Sequence, residues 1–86
     1  MQKVLSIDHL KELAKNEESI RQHFFIQLGG GIARSSKQIL YDPQTNRFEV
    51  VNEIDFSFQF DLSEKQLANK TQIVEAIEAG ALFKYE

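Results

Sequence analysis

Apolar and polar residues alternate between positions 48 and 60 of this chain. Apolar residues or an amide occupy the even positions, and the odd positions are polar except for Val51. Because successive side chains of a strand point to opposite faces, the alternation predicts a sheet with one face buried under helices and one face in water. Three interpretations stay open near residues 52–55: one long strand with a bulge or kink, two strands joined by an odd-length loop, or a two-residue turn at 52–53 that would break the face pattern.

The region before this alternation predicts further strands. Residues 23–28 form an apolar run that ends at three glycines, which favours a strand. Residues 33–41 and 47–51 are predicted to form a hairpin around the turn sequence Asp-Pro-Gln-Thr-Asn. Phe24, Phe25 and Ile26 are apolar on both faces of their strand, so that strand is either central or lies at a partner interface. If it is an edge, we expect a two-fold homodimer or a protein partner along it.

A helix is predicted at the N-terminal end of the chain. Ser6 is its expected N-cap, Leu5 and Leu10 occupy the positions of a hydrophobic staple, and the helix should end near Asn16. His9 falls in the first turn, where we expect it to face solvent.

Two more helices are predicted in the C-terminal third. Ser63 begins a short one, and Asn69 or Thr71 caps a longer one that Gly80 should end. The apolar tail after Gly80 is expected to fold back onto the core. The predicted fold class is therefore α+β: a single domain over residues 1–86, with one antiparallel sheet of three or four strands covered on one face by an N-terminal helix and two C-terminal helices.

Composition narrows the function classes. The 86 residues include no cysteine, which removes disulfides, thiolate metal sites and nucleophilic thiols, and we expect no cofactor. The start of the chain lacks an apolar run of signal-peptide length and no segment is long enough to span a membrane, so we expect a cytoplasmic protein. The net charge is −3. A polyanion-binding surface needs more cations than the three in residues 31–48, which argues against a nucleic-acid partner.

Three short motifs resemble those of a known group of proteins. They are Arg-Ser-Ser-Lys at 34–37, the alternating segment at 48–55 and Gly-Ala-Leu-Phe-Lys at 80–84. With these motifs the chain resembles small uncharacterised bacterial and mobile-element proteins over most of residues 24–84. The resemblance implies no activity, cofactor or catalytic residue.

A candidate ligand-binding segment runs from the glycines into the next strand. Backbone amides beside cations and hydroxyls can cradle a phosphate, which nominates Gly30, Gly31, Arg34, Ser36 and Lys37. The spacing differs from that of a phosphate-binding loop, so we favour a plain turn with Arg34 and Lys37 in water. His9 and His23 have no partner at metal-ligand spacing, and we expect neither a metal site nor a catalytic residue.

The polar face of the alternation supports a binding role. Its residues Glu49, Glu53, Asp55 and Gln59 are the predicted partner-binding set, because an acidic sheet face can dock a basic partner. We therefore expect a non-catalytic protein-interaction module that uses this face or an edge strand. The alternative is a weak nucleic-acid or phosphate-ligand binder that uses residues 29–37.

Overall fold

The computed structural model describes residues 1–27, 33–52, 57–61 and 68–85. The elements in chain order are β1 (Gln2–Lys3), α1 (Ile7–Ala14), β2 (Gln22–Gln27), β3 (Arg34–Asp42), β4 (Arg47–Asn52), β5 (Ser57–Asp61), α2 (Ala68–Glu78) and β6 (Leu82–Lys84).

The described strands form one antiparallel sheet in the order β1-β6-β2-β3-β4-β5. Five strands have three or more residues, and the two-residue β1 extends one edge. The α+β class is confirmed, but the sheet is larger than the three or four strands predicted. The difference arises at the C-terminus, where the apolar tail enters the sheet as β6 between β1 and β2. As a result β2 is a central strand, and the conditional prediction of a dimer along it does not apply.

The alternating segment forms two strands. Val51 of β4 pairs with Ser57 of β5, and the same register pairs Val50 with Phe58. The register leaves five residues, 52–56, between the last paired positions. The odd-length loop is therefore the correct interpretation, and the single bent strand and the two-residue turn are wrong. An odd number keeps even positions opposite even positions across the turn. The predicted bulge, and Phe56 on the expected buried face, fall on residues 53–56, which lie outside the described residues.

The β3–β4 turn forms where its sequence predicted it. The Asp42 carboxylate accepts a hydrogen bond from the Gln44 amide at 2.9 Å. Asn46 adopts a left-handed conformation with φ 57°, which asparagine tolerates well, and its side-chain oxygen accepts a bond from the Tyr41 hydroxyl at 2.7 Å. Hydrogen bonds at both ends therefore fix the conformation of the turn. The turn in turn sets the register in which β3 pairs with β4.

Reciprocal hydrogen bonds fix the start of α1. The Ser6 hydroxyl accepts a bond from the His9 amide at 3.1 Å, and His9 Nδ1 accepts one from the Leu5 amide at 2.9 Å. The first bond satisfies an amide of the first turn that has no partner within the helix, so Ser6 is confirmed as the N-cap. The predicted staple is wrong, because Leu5 is 70% exposed. The helix ends at Ala14, two residues before the predicted end.

A left-handed glycine ends α2, as predicted. Gly80 has φ +68°, its amide donates to the Ile77 carbonyl at 3.0 Å, and the Ala81 amide donates to the Ala76 carbonyl at 2.8 Å. This pair of bonds is the Schellman motif, which reverses the chain directly into β6. The predicted caps are wrong, since Asn69 and Thr71 both lie within α2. The short helix expected from Ser63 falls on residues 62–67, outside the described residues.

Both described helices cover the same face of the sheet. The two helices, four strands (β2, β3, β4 and β6) and the residue after β1 contribute to one core cluster. Its members are Val4, Leu10, Ala14, Phe24, Ile26, Ile39, Tyr41, Phe48, Val50, Ile73, Ala76 and Leu82. The two described helices thus share one core with this face of the sheet, whereas the prediction had placed three helices there. No described helix is long and apolar enough to cross a membrane.

Candidate interaction surface

The sheet has a second face that neither described helix covers, which we call the open face. Phe25 lies on it, because its neighbours Phe24 and Ile26 belong to the core cluster and Phe25 does not. An antiparallel sheet normally presents polar residues on its uncovered side. Phe25 is nevertheless only 1% exposed. Something other than a described helix therefore covers a large ring on this face.

Two aromatic rings from the C-terminal end of the chain cover Phe25. The β2–β6 register pairs Phe25 with Phe83, and their ring centroids lie 5.3 Å apart with the planes nearly parallel at 16°. The Tyr85 ring lies 4.6 Å from that of Phe25. A bond of 2.9 Å from the Tyr85 amide to the His23 carbonyl holds this residue beside β2. We call Phe25, Phe83 and Tyr85 the aromatic cluster; Phe83 and Tyr85 are half-buried, so part of the cluster reaches the surface.

Arg34 contacts the Phe25 ring of the aromatic cluster from the neighbouring strand β3. It begins β3, where the register places it opposite Gln27 and Ser36 opposite Phe25. The guanidinium carbon of Arg34 is 4.4 Å from the centroid of the Phe25 ring. This is a cation–π contact, which helps to hold the guanidinium against the ring. Arg34 is exposed, and no carboxylate of the described residues forms a salt bridge with it.

The far end of the open face carries an ion pair and aliphatic side chains. Arg21 donates a hydrogen bond to the Glu49 carboxylate. Leu40 and Val51 are half-buried on the same face. Both charges of the ion pair are partly exposed, so the pair adds little stability and mainly orients two side chains. The open face therefore combines an aromatic cluster topped by a cation, an aliphatic strip and a neutralised ion pair.

The predicted partner-binding set lies at the β4–β5 end of the sheet. Glu49 is on the open face, and Gln59 is opposite it in the β4–β5 register. Glu53 and Asp55 lie outside the described residues. Among the described residues Glu49 forms a salt bridge with Arg21, and binding of a basic partner by this set stays a prediction.

The alternative ligand-binding residues are not brought together. Arg34 and Ser36 lie on the open face, whereas Lys37 lies on the helix-covered face between Phe24 and Asn52 in the register. Gly30 and Gly31 lie outside the described residues. Lys37 is 5% exposed, so the expectation that it is solvated is wrong. Burial lowers the pKa of the Lys37 ammonium, because the charged form loses hydration there.

The two histidines have separate settings. His9 completes the cap of α1 and is half-buried rather than fully in solvent as expected, and His23 is exposed on the open face beside Tyr85. Within the described ranges, no group of three or more histidine or acidic side chains is close enough together to hold a metal ion.

A groove of ≈ 360 Å³ lies between the segment after α1 and the β3–β4 turn. Tyr41 lines the groove, and the hydroxyl of this residue already bonds to Asn46. The two carboxylates on its rim, Glu17 and Asp42, are exposed to water. Exposed carboxylates of this kind are typical of a surface turn.

Comparison with known proteins adds no relative: no protein-family model, no curated protein and no solved structure matches the chain.

Proposed function

We propose that this chain is a non-catalytic protein-interaction module of the cytoplasm that binds a partner protein through the open face. The observation that carries the proposal is the aromatic cluster with Arg34 above it, on the face of the sheet that the described helices leave uncovered.

The residue types on the open face support a docking role. Tyrosine, phenylalanine and arginine are enriched at the centres of protein interfaces, where a few such residues contribute most of the binding energy. Phe25 holds the cluster rigidly, so Phe83 and Tyr85 lose little conformational entropy when a partner covers them. The half-buried Ser36 and Gln38 lie next to the cluster and can supply hydrogen bonds at its rim.

Charge indicates what the partner presents. Arg21 already has the Glu49 carboxylate, whereas Arg34 has no acidic partner among the described residues. A guanidinium held over an aromatic ring keeps its fork of N–H donors free for a planar acceptor. The partner we propose therefore places a carboxylate at Arg34 and apolar surface over Phe83 and Tyr85.

No observation favours the phosphate-ligand alternative over this proposal. Its three described residues lie on two faces of β3, with Lys37 on the side away from Arg34 and Ser36. A single phosphate on the open face could therefore not contact all three side chains.

Site-specific photo-crosslinking in the native cell tests the proposal. A photoreactive amino acid replaces Gln38 on the open face in one variant and Glu75 on the exposed side of α2 in the matched control. We expect a defined protein adduct from position 38 and none from position 75. Adding Arg34→Glu should remove that adduct while leaving the melting temperature within a few degrees, because an exposed cation–π contact contributes only about 0.5–1 kcal/mol.

The adduct must then be identified by mass spectrometry and reconstituted from purified components. Binding of the purified partner, with amide NMR shifts concentrated on β2, β3 and β6, would support the proposal. Adducts of equal yield from both positions, or shifts centred on the helices, would contradict it.

A further inference from the structure

We propose that a second copy of this chain pairs with β5, antiparallel, in a two-fold register centred on Gln59. This inference concerns the edge of the sheet and is independent of the function proposed for the open face.

The position of β5 in the sheet motivates the inference. It is the last strand in the sheet order, and no strand of the described residues pairs with its outer side. The opposite edge is the two-residue β1, which is too short to template another strand. Natural edge strands of useful length usually carry lysine, proline or a bulge that discourages pairing. The sequence of β5, Ser-Phe-Gln-Phe-Asp, has neither lysine nor proline.

Hydrogen bonds elsewhere in the sheet show which way the β5 backbone points. The Gln27 amide donates to the Ala81 carbonyl at 2.8 Å, and the Tyr85 amide donates to the His23 carbonyl at 2.9 Å. The odd residues of β2 therefore bond to β6. Because bonding direction alternates along an antiparallel strand, the even residues of β2 bond to β3.

The same alternation carries through the register to the edge. Phe24 pairs with Lys37, so the odd residues of β3 bond to β2 and the even residues bond to β4. Gln38 pairs with Val51, which leaves the even residues of β4 to bond to β5. These even residues pair with Phe58 and Phe60. The backbone donors and acceptors of Ser57, Gln59 and Asp61 therefore point outward, away from β4.

The sequence of β5 is complementary to itself in this geometry. A two-fold axis at Gln59 pairs Gln59 with its own copy and Ser57 with Asp61 of the second copy. All three outward-pointing positions then fall in hydrogen-bonded pairs, which gives about six bonds across the axis. The two aspartates lie at opposite ends of the pairing, so like charges do not face each other. Phe58 pairs with Phe60 of the second copy, a combination that favours cross-strand pairing. A two-fold interface of this kind closes at the dimer.

Sedimentation equilibrium of the full chain, from micromolar to millimolar concentration, is the first test. We expect a reversible dimer that Gln59→Pro weakens about tenfold or more, because proline removes two of the bonds at the axis. The backbone N–H of Gln59 points away from β4, so this proline leaves the β4–β5 hydrogen bonds intact. Gln59→Lys, which places two like charges at the axis, should also weaken the dimer, whereas the same change at the exposed Gln72 of α2 should not.

Disulfide trapping provides a second measurement, because the chain contains no cysteine of its own. In the proposed register the two Gln59 Cα atoms lie about 5.5 Å apart, within the range that a disulfide spans. Gln59→Cys should therefore oxidise to a covalent dimer at protein concentrations where Gln72→Cys stays monomeric.

Two results would overturn the inference: a monomer at every concentration, or a dimer that neither Gln59→Lys nor Gln59→Pro weakens. If circular dichroism shows that Gln59→Pro unfolds, the lysine and cysteine variants decide the outcome alone. Neither outcome bears on the open face, since the crosslinking test uses positions on other strands.

Discussion

Replacing Phe25 by alanine tests whether the open face carries a tightly packed cluster or a loose row of surface rings. Phe25 is 1% exposed and contacts two aromatic rings and a guanidinium. Removing a buried phenylalanine typically costs about 3–5 kcal/mol of unfolding free energy. Because Phe83 and Tyr85 are only half-buried, water can enter the space, and we expect a loss at the lower end, about 3 kcal/mol.

Urea denaturation followed by circular dichroism measures this loss. Gln38→Ala on the same face is the matched control and should change the stability by less than about 0.5 kcal/mol. A double-mutant cycle between Phe25→Leu and Phe83→Leu should give a coupling of about 0.5–1.5 kcal/mol, whereas Phe24→Leu on the other face should show almost none with Phe83→Leu. A loss below about 1 kcal/mol for Phe25→Ala, with no coupling to Phe83, would refute the aromatic cluster.

Three further changes test the local structure. Burial lowers the pKa of Lys37 below its ordinary value of 10.5, so the charged form opposes folding near neutral pH. As the pH rises toward 10.5, the wild type should therefore gain stability relative to Lys37→Met. Lys15→Met, at an exposed lysine, should show no such trend in denaturant melts across the same pH range. Gly80→Ala should cost about 1 kcal/mol in thermal melts, because the backbone has φ +68° while the nearest side-chain atom, Lys3 Nζ at 3.6 Å, leaves room for a methyl group. Ser6→Ala should cost about 1 kcal/mol, since it removes the acceptor for the His9 amide.

Each of the predictions for Lys37, Gly80 and Ser6 has a result that would contradict it. A stability difference between Lys37→Met and wild type that stays constant with pH would mean that this lysine is solvated. Equal effects of Gly80→Ala and Gly80→Asn would argue against a left-handed backbone, because asparagine tolerates that conformation better. A neutral Ser6→Ala would show that the N-cap bond is not formed in solution.

Period-two alternation made the centre of the sheet predictable from sequence. It extends over thirteen positions from Phe48 to Phe60, long enough to fix which residues of β4 face the core. The caps at Ser6 and Gly80 were equally readable, because each depends on the chemistry of one residue and its near neighbours. The Asp-Pro-Gln-Thr-Asn turn belongs to the same class of local signals.

The aromatic cluster could not be predicted in the same way. It depends on β6 lying next to β2, about sixty residues earlier in the chain, and β6 has only three residues from which a period could be read. The burial of Lys37 was predictable from the alternation of β3, because this residue lies on the same face of the strand as the apolar Ile39 and Tyr41. The charge of Lys37 favoured solvent, whereas its position in the alternation favoured the core.

The affinity of the partner for matched charge-reversal variants is a direct measure of binding through the open face. Calorimetric titration would compare wild type, Arg34→Glu on the open face and Lys15→Glu at an exposed lysine after α1, two variants with the same net charge. We expect Arg34→Glu to weaken binding by about tenfold or more, while Lys15→Glu changes it by less than about twofold. Equal losses in the two variants would show a response to net charge alone, and unchanged binding by Arg34→Glu would show that the partner docks elsewhere.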